Sequence, residues 1–83
     1  MPLFMDTHTK VEGLTAAAAA GAHQKDLEAQ GKHGVKFLNY WFNQEQGVIY
    51  CLWEGPNKEA GEAVHQEAHG MGAKLITEVE QGD

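Results

Sequence analysis

"VKFLNYWFNQEQGVIYCLWEGP", residues 35–56, decides the fold. Its two arms, residues 35–42 and 48–54, are rich in aromatic and β-branched side chains, which suit a pleated strand. "NQEQG" joins them, and Gly47 is free to take the positive φ that a tight turn needs. The segment therefore reads as a β-hairpin. Strict alternation puts Val35, Phe37 and Trp41 on one face of the first arm and Leu38, Tyr40 and Phe42 on the other. In the second arm Val48, Tyr50 and Leu52 oppose Ile49, Cys51 and Trp53. Neither face is polar, whereas a sheet covered on one side alternates apolar with polar. Both faces of this hairpin need cover.

The flanks supply cover for one of them. "PLFMDTH" reads as a strand over residues 3–8, and "TKVEG" as a loop. From residue 14 to about 30 alanine is frequent enough to read as helix, ending near Gly31 and Gly34. "GPNKEAGE" opens a second helix at Pro56 or Asn57, with acids in its first turn. That helix runs to about His69, where Gly70 suits a C-terminal cap. "AKLITEVE" is the last strand, and residues 80–83 a frayed tail. The order β-α-β-β-α-β is the ferredoxin-like arrangement of an α+β domain. It implies one domain over residues 1–83, an antiparallel sheet of order 4-1-3-2, and both helices on one face. The other face is expected to be covered by a second copy of the chain, in a sheet-mediated homodimer. A ligand pocket or another protein are the other covers considered.

Composition narrows the function. Twelve acids stand against six bases, all lysine, for a net charge of −6. A chain without arginine is poorly equipped for nucleic acid or for bidentate capture of phosphate. One cysteine, Cys51, excludes an intrachain disulfide and thiolate-rich zinc motifs. No segment resembles a signal peptide or a membrane span, so the expected location is the cytoplasm, away from membranes.

Five histidines in 83 residues point to the chemistry. In the ferredoxin-like order, strand 1 and helix 2 finish at the same end of the sheet. Strand 1 brings Asp6 and His8, two apart and on one face. Helix 2 brings His65 and His69, four apart and on one face. These four are the expected metal ligands. His23 is a fifth, on an expected buried stripe of Ala16, Ala20, His23 and Leu27. Asp26, one turn on, would orient a ligand or join a secondary site. Glu67 lies about 200° around the helix from His65. "HQEAH" is therefore not the metalloprotease motif H-E-x-x-H, and Glu67 would serve only a secondary ion. The plainer readings are histidines favoured at a helix end by its dipole, a hydrogen-bonded core histidine at position 23, and Cys51 as a small core residue.

The chain also resembles a family of small ferredoxin-like nickel-binding proteins, long treated as a domain of unknown function. The resemblance is carried by "AHQKD" (residues 22–26), "YWFNQEQGVIYCLWEGP" (40–56), "VHQEAHG" (64–70) and "ITEVE". It implies a homodimer joined through its sheets, binding divalent nickel through histidines and carboxylates, with no established reaction. Imidazole and carboxylate donors also suit zinc and copper. The role implied is buffering, sensing or delivery, the last of which would need a receiving partner. The competing class is an enzyme: a cofactor-independent oxygenase or isomerase of the dimeric α+β barrel type, with Tyr40, Trp41 or Tyr50 as pocket wall. A proline-based tautomerase would want arginine for its acidic substrates, and no spacing supports a hydrolase built on Cys51.

Overall fold

A computed structural model of the chain describes residues 1–82; the last residue of the expected tail, Asp83, lies outside them. The elements are β1 (Leu3–His8), α1 (Ala16–Ala29), a 3-10 turn (Gln30–His33), β2 (Lys36–Asn43), β3 (Val48–Glu54), α2 (Lys58–Ala68) and β4 (Leu75–Val79). The strands form one antiparallel sheet in the order β2-β3-β1-β4. This is the order 4-1-3-2 read from the other edge, and the α+β ferredoxin-like expectation is met.

Caps fix the helix starts. The Thr15 side chain accepts the Ala18 N–H at 3.0 Å, so α1 begins at Ala16 and not at Leu14. The Asn57 side chain accepts the Ala60 N–H at 2.9 Å and starts α2 at Lys58. Both helices end on left-handed glycines. Gly34 has φ 68 after the 3-10 turn, and Gly70 has φ 76 just beyond His69.

Two expectations about facing are corrected. In β2, Phe37 pairs with Trp53 and Asn39 with Leu52, which leaves Leu38 as an extra residue in a β-bulge. The bulge reverses the alternation beyond it. Phe37, Tyr40 and Phe42 share the helix-covered face, while Trp41 moves to the opposite face across from Tyr50. Of the three aromatics considered as pocket wall, Tyr40 lies on the helix-covered face and Trp41 and Tyr50 on the other. In α1 the buried residues are Ala19, Asp26 and Ala29, with His23 and Leu27 half-buried. Ala16 and Ala20 are exposed, so the buried stripe is rotated towards Asp26.

The core lies between the sheet and the two helices, around Phe4, Phe37, Ile49, Trp53 and Val64. Trp53 is wholly buried and stacks on Phe4 with ring centroids 4.6 Å apart. Its six-membered ring lies against Gly61 of α2. A Cβ at position 61 would fall 2.1 Å from Trp53 Cζ2, so only glycine lets helix and indole meet. The other sheet face is open. It carries Trp41 and Tyr50, 49% and 41% exposed, with Leu75 at 59%. A groove over this face is lined by Leu3, Met5, Leu52 and Val79. No described helix is long and apolar enough to cross a membrane.

Candidate metal centre

Alternation along β1 turns Phe4, Asp6 and His8 towards the helices, and all three are buried. In β3 the same face carries Cys51, paired directly with Asp6, and Ile49, paired with His8. From above, α2 contributes His65, buried among these groups, and His69 one turn later; α1 contributes Asp26. Four polar side chains, Asp6, His8, Asp26 and His65, are thus buried together in a domain of 83 residues. Groups of this kind are tolerated inside a protein only when they satisfy one another.

His65 is the hub. Its Nε2 lies 2.7 Å from Asp6 Oδ2 and its Nδ1 3.0 Å from Asp26 Oδ1. Burial alone would raise the Asp6 carboxyl. Hydrogen bonding to His65, with His8 alongside, outweighs it and holds Asp6 well below the usual carboxylate range. Asp26 is held low in the same way, burial being overcome by hydrogen bonds from His65 and His69. Both carboxylates are ionised and can only accept, so both nitrogens of His65 donate. The ring is an imidazolium. Burial by itself would lower its pKa; the hydrogen bonds to Asp26 and Asp6 raise it from 6.5 to about 9. Trp53 Nε1–H completes the shell, donating to Asp6 Oδ2 at 3.0 Å.

Backbone groups orient the other two histidines. The His8 Nδ1–H donates to the Gly72 carbonyl at 3.2 Å, which turns Nε2 towards Asp6 Oδ1. His69 Nδ1 accepts the Met71 N–H at 3.1 Å, so its proton sits on Nε2 and is donated to Asp26 Oδ1 at 3.1 Å.

One oxygen is left over. Asp6 Oδ1 is buried and makes no hydrogen bond. His8 Nε2 stands 3.2 Å away. A buried carboxylate oxygen without a hydrogen bond, beside an imidazole nitrogen, is unfavourable alone and favourable around a cation. Cys51 adds a sulfur: one donor atom each from Asp6, His8, Cys51 and His65 lie within 4.8 Å of one another. A second such group, Asp26, His65 and His69, shares His65 with the first. The Cys51 thiol is pushed up by burial first, then by the negative charges of Asp6 and Asp26, and stays protonated; it would have to lose that proton to hold a cation. A cavity of about 10 Å³, room for one water-sized sphere, lies among His8, His23, Asp26, Cys51, His65 and His69.

Of the expected ligands, Asp6, His8 and His65 fall in one group of possible donors, and His69 joins His65 in the second. His65 lies wholly in the core. His23 stands at the edge of the cavity, its ring 4.6 Å from Tyr40 and its Nδ1 buried without a partner. Asp26 is not peripheral: it bridges His65 and His69. Glu67 is outside the cluster. It faces solvent and pairs with Lys32 at 2.8 Å and His33 at 3.3 Å. Two members were not singled out for the site in the sequence, Cys51 and Trp53. Their signal was the strand order itself, which sets β3 beside β1 and turns alternate residues of both to one face.

A family model described as "Nickel responsive protein SCO4226-like" matches residues 4–79. Among solved structures, that of SCO4226 from Streptomyces coelicolor A3(2) is similar at 40% identity with a TM-score of 0.91, over 98% of this chain and 99% of that one. Protein Atu4242 from Agrobacterium tumefaciens is similar in fold alone. It is 12% identical with a TM-score of 0.55, over 95% of this chain and 89% of that one. No curated protein matches the chain.

Proposed function

The chain belongs to the SCO4226-like family of nickel-responsive proteins; on that premise we propose that it binds a divalent transition-metal ion, with nickel as the first reading and zinc and copper as competitors. The observation that carries the proposal is the buried Asp6 Oδ1, which has no hydrogen bond and lies 3.2 Å from His8 Nε2, within a cluster of possible donors that includes Cys51 and His65. These two would be the first ligands. His65 and Cys51 would join by giving up a proton each, and Asp26 and His69 would follow from the second group.

Charge supports a divalent ion. Asp6, Asp26 and the His65 imidazolium together carry one net negative charge. Exchange of the His65 and Cys51 protons for a dication leaves that buried charge unchanged. Nitrogen with oxygen donors fits nickel, zinc and copper alike, and the family description favours nickel.

The protein is further read as a cytoplasmic homodimer joined through the open sheet face, where Trp41, Tyr50 and Leu75 stand exposed. Binding without catalysis is preferred over the oxygenase or isomerase reading, because Tyr40 is separated from Trp41 and Tyr50 by the sheet. Calorimetric titration of metal-free protein with nickel, zinc and copper tests the proposal. A dissociation constant below about 100 µM, equivalent to about 5–6 kcal/mol, is expected for nickel. Weaker binding of all three ions would overturn it.

A further inference from the structure

Residues 70–73 link α2 to β4, and they touch the cluster at two points. The Met71 N–H is donated to His69 Nδ1 at 3.1 Å, and the Gly72 carbonyl accepts the His8 Nδ1–H at 3.2 Å. An amide N–H can only donate and a carbonyl can only accept. The loop backbone therefore dictates which nitrogen of each ring carries the proton. Its far end is tied to β1 by the Lys74 N–H, donated to the Thr7 carbonyl at 2.8 Å. Its near end is tied by the Gly70 N–H, donated to the His65 carbonyl at 2.8 Å.

A further side-chain tether holds the loop at Ala73. Glu62 of α2 accepts the Ala73 N–H through Oε1 at 3.1 Å. The fit is close on both sides: a Cβ at position 72 would come within 2.7 Å of Glu62 Oε2 and 3.0 Å of Gln66 Nε2. Glu62 thus sits one residue past the carbonyl that orients His8, and Gly72 keeps the space that Glu62 occupies.

We infer that Glu62 is a positioning residue for the metal centre: it clamps the 70–73 loop, and the loop fixes His8 with its Nδ1–H on the Gly72 carbonyl and Nε2 towards Asp6, and His69 with its Nε2–H towards Asp26. The chain of contact runs from the Glu62 carboxylate to the Ala73 amide, through one peptide unit to the Gly72 carbonyl, and on to the His8 ring. The consequence is a division of labour: His8 is presented as a ready ligand, while His69 is committed to Asp26. The effect on metal affinity rests on the reading of Asp6 and His8 as ligands; the tautomers do not.

The test uses 15N-labelled, metal-free full-length protein, with histidine ring tautomers read from long-range proton–nitrogen correlation spectra. In the unaltered protein His8 should show the Nδ1–H form and His69 the Nε2–H form. Glu62→Ala should turn the single His8 form into a mixture and weaken nickel binding about 10- to 100-fold, the usual effect of losing an outer partner of a ligand. Glu62→Gln keeps an acceptor oxygen and should restore both readouts. Gly72→Ala, which intrudes on Glu62, should resemble Glu62→Ala. An Nε2–H form of His8 in the unaltered protein would overturn the inference, as would an unchanged His8 tautomer in Glu62→Ala. Should the unaltered protein show the stated tautomers and bind no nickel, the metal reading falls and the clamp stands on the tautomer response alone.

Discussion

His65 and Asp6 meet across the core, Nε2 to Oδ2 at 2.7 Å, although 59 residues separate them in the chain. The same imidazole reaches Asp26 with its other nitrogen. One ring thus ties β1 and α1 to α2, and a buried positive charge is held between two buried negative ones. Such a triad is stable only when complete, because removal of one member strands the others.

That completeness is testable by deletion. His65→Ala leaves Asp6 and Asp26 without their shared donor in a dry core. It should lower stability by about 3–5 kcal/mol, read as a fall in the urea midpoint of the metal-free protein. Asp26→Ala should also destabilise, and less, since Asp6 still holds the ring.

Stability should also depend on pH in a defined window. His65 is raised from 6.5 to about 9, so its contribution is complete below 6.5 and fades as pH rises through 9. Asp6 and Asp26 are lowered from 3.8, so theirs is complete above 3.8 and fades as pH falls towards their folded values. The metal-free protein should be most stable between pH 3.8 and 6.5 as far as these groups decide it. Chemical unfolding across pH 6 to 9 should show a steady loss, and a flat profile there would contradict an imidazolium at position 65.

The order of the sheet and the meeting of Asp6, His8, His65 and His69 were legible because both follow from topology and period alone. Leu38 shows where that reasoning stops. A bulge adds one residue without changing the composition of the strand, so nothing in "KFLNYW" announces that Trp41 and Phe37 part company. The burial of Asp26 was not legible for a different reason. In an alanine-rich helix hydrophobicity hardly marks a buried face, and the buried stripe includes an acid that only a partner from another element can justify. The Trp53–Gly61 contact is a packing fact between residues eight apart and was silent in the sequence.

That contact makes Gly61→Ala informative. The new methyl would need to displace a wholly buried indole. Overpacking of this kind costs typically about 1–3 kcal/mol, and here it also disturbs the Trp53 Nε1–H donated to Asp6. A lower midpoint in thermal unfolding, together with weakened nickel binding, is expected. Loss of stability with unchanged affinity would separate the indole from the site.

The open sheet face makes a prediction about assembly. Trp41→Lys places a charge in the exposed apolar patch, on the face away from the buried cluster. Sedimentation should show a dimer for the unaltered protein and a monomer for the variant, with the far-ultraviolet circular dichroism unchanged. A monomer in both would leave the face without the proposed partner.

The central claim is the location of the ion, and anomalous diffraction from nickel-loaded crystals measures it directly. The strongest anomalous peak is predicted within coordination distance of both His8 Nε2 and Asp6 Oδ1, and Asp6→Asn combined with His8→Ala should remove it. A strongest peak beside Glu67 and His33, or on the open sheet face, would contradict the account.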